Sequence, residues 1–236
     1  MFENFSSLWQ QTLNWQPTPA QAQLFEKLYN LVLEGNKTQN LTRLTDPADF
    51  WEKHLWDSLR GVQLVWELHD LQVIDIGTGA GFPGLPVAIA RPNWQLSLLD
   101  STTKKTNFLS NTVEALDLAQ VIVVTGRAEQ LNQTNSHYQK YDLALLRAVG
   151  SVALCTKYVM PFLKVGGQAI LYRGQWTEPE QLELDKICNE LDAEVTHLES
   201  FTTPLTHSQR HCLHLTKITK WIGLLRGCNL EILRQS

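Results

Sequence analysis

Between Leu71 and Gly84 the chain reads LQVIDIGTGAGFPG, and the residues that could do chemistry begin there. Asp75, Gly77, Gly79 and Gly81 fall at alternate positions, directly after the apolar, β-prone Leu71, Val73, Ile74 and Ile76. That order predicts a buried strand running into a tight loop. Glycines at those places give the backbone φ values that other residues resist, and they let a small ligand approach the main chain closely.

Asp75 narrows the choice of ligand. A dinucleotide site brings a pyrophosphate onto the N-terminus of the next helix, where a carboxylate two residues before the first glycine would add repulsion. S-adenosylmethionine has no phosphate and carries an ammonium and a sulfonium, so an acid beside the turn favours it. A second frame stays open. Gly79, Gly81 and Gly84 satisfy G-x-G-x-x-G, and Asp100 lies near the spacing of a ribose-binding acid, as a nicotinamide-dependent reductase would need. In that frame the first glycine stands three residues past the strand and Pro83 falls inside the fingerprint. A methyl donor is the preferred reading; a domain that binds without turnover is the third.

These residues need a scaffold. From Leu71 onward strand and helix patterns alternate, which implies a parallel sheet with right-handed crossovers. Strands are expected at 71–76, 95–99, 120–124, 141–146 and 168–172, the last entered by a turn at Gly166-Gly167. Helices are expected at 102–116, 151–163 and 178–191. In such a sheet ligands lie beyond the carboxyl ends of the strands, so Asp100 is placed for ribose hydroxyls and the 126–129 backbone for an adenine edge. Strands near 194–201 and 211–218 follow without room for a helix between them, so this pair is antiparallel. The expected fold is α/β, a class I S-adenosylmethionine-dependent methyltransferase sheet: Rossmann-like, mostly parallel, with one antiparallel terminal strand and an N-terminal helical extension. Three parts are expected: a helical cap at 1–66, the methyltransferase domain at 67–218 and a tail at 219–236 that forms a short packed helix.

Within the cap, Leu24, Leu28, Leu31 and Val32 form a helical stripe that Gly35 closes, and Asp46-Pro47 reads as an N-cap with proline at the first helical position. A single helix from Pro47 to about Glu67 would then carry His54, Asp57 and Ser58, polar residues that either tie the helical cap to the main domain or, at His54 or Asp57, line the substrate side. The 236 residues, 43% hydrophobic, can bury a substantial core. Four cysteines (155, 188, 212 and 228) form no C-x-x-C pair and no zinc-like spacing, so neither a disulfide frame nor a metal site is expected. No leader or membrane-length apolar run is visible, which predicts a soluble cytoplasmic protein. A net charge of −4 argues against a broad nucleic-acid surface. Lys104, Lys105, Arg210, His211, His214, Lys217 and Lys220 could still make one face positive. No extended heptad or unexplained apolar stripe calls for a partner, so a monomer is expected.

The run DIGTGAGFPGLPVAIARP, with LTRLTDP and HLWDSL before it and RAE, LRA and RHCLHLTK after it, resembles the ribosomal RNA small subunit methyltransferase G family over roughly residues 24 to 217. The resemblance implies methyl transfer from S-adenosylmethionine to N7 of one guanine in 16S rRNA of the small ribosomal subunit. It further implies that Gly77 and Phe82 border the donor, Asp100, Ser101 and Thr102 its ribose, Ala128 and Glu129 its adenine, and Arg147 the mouth of the site. Together with Asp75 and Gly79 these are the candidate cofactor residues, and Arg147 and Arg173 are candidates near substrate. Three positions depart from the family pattern: Gly35 stands where tryptophan is usual, Arg173 where lysine is usual, and the tail is not the usual short basic one. Guanine N7 bears no proton, so no catalytic acid or base is expected; two partners held in line suffice. The chain reads LLRAVG where an exocyclic-amine enzyme would carry an N-P-P-Y type motif, and Cys155 in ALCTK is expected to be structural rather than a nucleophile. Asp142 alone does not supply the clustered carboxylates of a metal-dependent enzyme.

Overall fold

The computed structural model describes residues 2–147 and 150–219. Helical segments come first: a 3-10 turn at Phe2–Phe5, α1 (Ser6–Leu13) and α2 (Pro19–Asn36). Thr18 and Gln21 cap α2 reciprocally, side chain to backbone, with proline at its first position. The helix runs through Gly35 to Asn36 rather than closing at the glycine.

The next helical run is not the single α-helix the pattern predicts. It consists of α3 (Pro47–Phe50), a π-helical turn (Trp51–Trp56), α4 (Asp57–Gly61) and a 3-10 turn (Gln63–Val65). Asp46 caps it as expected, its carboxylate accepting from the Ala48 and Asp49 amides. In the π turn the Asp57 amide donates five residues back, to the Glu52 carbonyl. Glu52 and His54 are buried there alongside Trp51, Leu55 and Trp56. Periodicity could not register this turn, because its polar residues are buried by parts of the chain far away in sequence.

The sheet has seven strands: β1 (Gln72–Ile76), β2 (Gln95–Asp100), β3 (Val121–Thr125), β4 (Tyr141–Arg147), β5 (Leu163–Arg173), β6 (Ala193–Thr202) and β7 (Gln209–Lys217). Their order is β3-β2-β1-β4-β5-β7-β6. Strands β1 to β5 pair in parallel, and β7 runs antiparallel to both β5 and β6. The reversed strand is thus last in sequence but sits inside the sheet, between β5 and the edge strand β6. Gly166 and Gly167 do not precede β5 as a turn; they lie within it, where the pairing with β4 shifts register.

The remaining helices are α5 (Gly84–Ala90), α6 (Thr103–Ala115), α7 (Ala128–Leu131), α8 (Val152–Val159) and α9 (Glu178–Glu190). On one face of the sheet, α5 and α6 pack with the N-terminal helices around Trp9, Phe25, Trp51, Leu85, Trp94 and Leu109. On the other, α8 and α9 cover Ile74, Ala144, Phe162, Leu171 and Leu213. The central strands β1, β2 and β4 are therefore buried on both faces, which is why their cores read as apolar runs rather than alternating ones. The expected C-terminal helix and Cys228 lie outside the described residues, apart from Thr219.

The N-terminal helices are fastened to the β6–β7 end by polar contacts. Glu52 Oε1 accepts from the Leu205 and Thr206 amides at 2.5 and 2.9 Å, and Oε2 from the Thr206 hydroxyl at 2.5 Å. Arg60 forks onto both oxygens of Glu199 at 3.0 and 3.2 Å and covers the Phe201 ring. Neither link has a signal in the sequence, since each pairs residues well over a hundred positions apart.

Candidate functional site

The loop after β1 is held from beneath. Gly77, Gly79 and Gly81 have φ of 69°, 63° and 98°, so all three need the left-handed region that only glycine enters cheaply. The Gly77 and Thr78 amides bond to the Leu99 carbonyl, and the Gly81 and Phe82 amides fold back onto the Thr78 carbonyl. Asp75 lies fully buried under this loop. Its Oδ2 accepts from the Thr78 hydroxyl at 2.6 Å and from the Gly84 amide at 2.7 Å, while Oδ1 meets no partner among the described residues. Burial pushes the carboxyl up to about 6, against the lowering pull of those two hydrogen bonds. Asp75 braces the loop from beneath and is not among the residues that line the pocket above it. Gly84 is a packing glycine, for a Cβ there would lie 2.3 Å from Leu98 and 2.8 Å from Asp75 Oδ2.

Asp100, at the end of β2, closes the loop from the other side. Its Oδ2 accepts from the Gly79 amide at 3.0 Å and its Oδ1 from the Thr102 amide at 2.9 Å. Each oxygen retains a second acceptor position. The pocket above, about 340 Å³, is lined by Ile76, Gly77, Leu99, Asp100, Ser101, Thr102, Lys105, Gly126, Arg127, Ala128, Glu129 and Tyr158. Six of the ten residues predicted to hold the donor line it: Gly77, Asp100, Ser101, Thr102, Ala128 and Glu129. Asp75, Gly79, Phe82 and Arg147 do not; Arg147 lines a second cleft, which Phe82 adjoins. Tyr158 and Lys105 went unforeseen, because a helix residue far along the chain and one lysine of a pair carry no mark of their own.

The second cleft, about 510 Å³, is lined by Leu44, Lys53, His54, Asp57, Arg147, Tyr172, Arg173, Gly174 and Arg210. Phe82, at the end of the donor loop, adjoins it: the His54 ring stacks on Phe82 at 4.0 Å and 8°, and the Arg147 guanidinium lies 5.8 Å from the same ring. Arg147 is tied to the π turn and α4, donating to the Lys53 carbonyl at 2.9 Å and to Asp57 Oδ2 at 3.1 Å, with His54 Nδ1 at 3.2 Å. A guanidinium can only donate, so His54 Nδ1 accepts and its proton sits on Nε2, facing the Thr42 hydroxyl at 2.8 Å. Burial first, then the cations of Arg147 and Lys53, hold His54 well below the usual histidine range. It is a neutral imidazole near pH 7. Burial raises the Asp57 carboxyl while Arg147 and Arg210 pull it back. Arg173 donates to the Gly150 carbonyl at 3.0 Å and to Glu180 at 2.6 Å, its charge already paired.

The positive face suggested by the C-terminal basic residues is only partly assembled. Arg210 points into the second cleft, and His211 Nδ1 bonds to the Gly174 carbonyl. His214, however, is buried, 3.5 Å from Glu199, and Lys217 donates to the Met160 and Leu163 carbonyls. The strand's alternation turns these side chains inward or along the sheet, which a list of charges does not show. Lys220 lies outside the described residues. Cys155 is fully buried, and burial pushes its thiol up to about 11, away from any nucleophilic form near neutrality. Among the described residues no cluster of three histidine, cysteine or acidic side chains could hold a metal, and no helix is long and apolar enough to cross a membrane.

A parallel sheet with one reversed strand, a glycine loop braced by a buried acid and a carboxylate at the end of β2 define a class I S-adenosylmethionine-dependent methyltransferase. The likeness of the fold to a solved S-adenosylmethionine-dependent methyltransferase from Aquifex aeolicus agrees, with a TM-score of 0.57 at 16% identity over 78% of this chain and 98% of that one. The model of the family described as rRNA small subunit methyltransferase G matches residues 21–213. Curated proteins named ribosomal RNA small subunit methyltransferase G are 51% identical in Nostoc punctiforme, over 92% of this chain and 91% of that protein, and 49% identical in Trichormus variabilis, over 93% and 92%. The chain belongs to the rRNA small subunit methyltransferase G family. The nicotinamide reading of the shifted glycine frame falls with that assignment.

Proposed function

We propose that this chain methylates N7 of one guanine in 16S rRNA of the small ribosomal subunit, with S-adenosylmethionine as donor. The observation that carries the reading is that one loop adjoins both cavities. It lines the donor pocket through Gly77 and, five residues on, presents Phe82 to His54 and Arg147 of the second cleft, so donor and base can be brought together beside it. The residues present fit the donor. Asp100 keeps an acceptor position on each oxygen for ribose hydroxyls, the Gly126–Glu129 backbone edges the adenine, and a pocket of about 340 Å³ lies within the usual range for small ligands. When bound, S-adenosylmethionine supplies a methyl group on a positively charged sulfur.

What the chain itself does is position and exclude. The braced loop fixes the floor of the donor pocket, the Phe82–His54 stack borders the second cleft, and Lys53, Arg147 and Arg210 supply positive charge for RNA. The base nitrogen carries no proton, so no side chain is required as general base. In this reading residues 1–66 form a cap over the acceptor side, 67–218 form the catalytic domain and 219–236 a tail; the chain acts as a monomer in the cytoplasm, where ribosomal subunits are modified.

Isotopically labelled S-adenosylmethionine, small subunits from a bacterium lacking the modification and nucleoside mass spectrometry test this directly. Labelled 7-methylguanosine is the expected product. Donor binding with no label in RNA would leave the fold's chemistry intact and remove the substrate.

A further inference from the structure

Asp57 occupies an unusual place in the second cleft. It is the one carboxylate among the described lining residues, surrounded by Lys53, Arg147, Arg173 and Arg210. Its two oxygens differ. Oδ2 takes the hydrogen bond from Arg147 at 3.1 Å, whereas no hydrogen bond from the described residues reaches Oδ1; Arg210 Nε forms an ion pair with it at 3.9 Å, beyond hydrogen-bond distance. Asp57 is held in place by α4 and by Arg147, so Oδ1 is an acceptor on a rigid mount.

A carboxylate can only accept, and guanine alone among the RNA bases offers two adjacent N–H donors on one edge, N1–H and the N2 amino group. N7 lies on the other side of the purine. The geometry points to Asp57 Oδ1 as the acceptor that reads guanine N1–H and its N2 amino group, leaving N7, on the other edge, free to face the donor; this rests on the guanine-N7 reading above.

The same contact helps the reaction. The N7 lone pair forms the new bond to the methyl carbon, and the carbon–sulfur bond breaks with its electron pair left on a neutral thioether. No proton moves. The positive charge that leaves sulfur appears on the purine, where it strengthens N1–H as a donor. A hydrogen bond to a carboxylate therefore tightens as the charge develops, stabilising the transition state more than the ground state. Beside Arg147 and Arg210, Asp57 is also the charge that offsets repulsion of a purine turning cationic.

The test compares small subunits assembled on 16S rRNA carrying either guanine or inosine at the target position. Inosine keeps N7 and N1–H but lacks the N2 amino group. Wild-type enzyme is expected to favour guanine by about tenfold or more in kcat/KM, the size of one hydrogen bond to a charged group. In Asp57→Ala the ratio should fall to near one, and in Asp57→Asn, which keeps the shape, to an intermediate value. Binding of the two kinds of subunit to enzyme loaded with S-adenosylhomocysteine should show the same order without turnover. Equal wild-type rates on guanine and inosine would overturn the inference even if neither variant folds, as would an Asp57→Ala enzyme that keeps the wild-type ratio. Absence of any transfer to guanine N7 by wild type would instead overturn the functional reading, and the inference with it.

Discussion

The donor pocket and the second cleft are neighbours built on opposite plans. The donor side comes from three short stretches, 75–84, 99–105 and 126–129, each at the carboxyl end of a parallel strand, with Tyr158 as the distant addition. Its loop is held by backbone amides converging on two carboxylates, Asp75 and Asp100. The acceptor side draws Lys53, His54 and Asp57 from one helical run, Arg147 from β4, Arg173 from β5 and Arg210 from β7, and is held by ion pairs and hydrogen bonds between them. One plan stores its geometry in local backbone conformation, the other in contacts across the chain. The two sides should therefore fail separately.

The largest effect is expected at Glu52, which holds the β6–β7 hairpin and through it the strand carrying Arg210. Glu52→Ala leaves the Leu205 and Thr206 amides and one hydroxyl without their buried carboxylate, at a cost of about 4 kcal/mol. Thermal unfolding should show the loss, and transfer to subunits should drop while S-adenosylhomocysteine affinity stays near wild type. A parallel fall in donor affinity would break the comparison.

Next is Asp75, which couples the donor loop to pH. Its folded carboxyl titrates at about 6, above the ordinary 3.8, so the proton is held more tightly in the folded state. The stability it contributes is complete below about 3.8 and is lost as pH rises through 6. Asp75→Asn, with no such titration, should therefore gain on wild type between pH 4 and 6 by about 3 kcal/mol and hold a constant difference above. Denaturant unfolding across that range checks it; a difference that does not vary with pH would remove the buried charge from the account.

Asp100→Ala should weaken S-adenosylhomocysteine binding by about 100-fold, since it removes both a candidate ribose acceptor and the carboxylate that holds Gly79 and Thr102. Tryptophan fluorescence titration measures this. The variant should still fold and still bind subunits, which sharpens the contrast with Glu52. The smallest effect belongs to Cys155, buried and with its thiol pushed up to about 11. Cys155→Ala should cost about 1 kcal/mol in stability and leave the transfer rate within about twofold; a collapse in rate with the fold intact would point to covalent chemistry.

The same contrast explains what could be read from the chain in advance. The strands from β1 to β4, the second half of β5, the helices α6 and α8 and the donor loop were legible because each is written in neighbouring residues: apolar runs, glycines at alternate positions; α5, α7 and the start of β5 were not. The π turn was not, since Glu52 and His54 look like surface residues until the 203–208 segment and Phe82 cover them. The inward turn of His214 and the bonding of Lys217 to the Met160 and Leu163 carbonyls were equally invisible, because a charge's direction depends on which strands flank it.

Sequence alone determined the donor side, because left-handed loop geometry needs glycine and a strand buried on both faces needs an unbroken apolar run, and both are local demands. It also carried the family resemblance, which lies in short contiguous motifs. Only the tertiary structure decided that Asp75 supports the donor loop from below and, on the other side, that Phe82 stacks on His54 and that Asp57 bonds Arg147 through one oxygen. Those outcomes rest on contacts between residues far apart in the chain, and such contacts exist only once the sheet has brought its distant segments together.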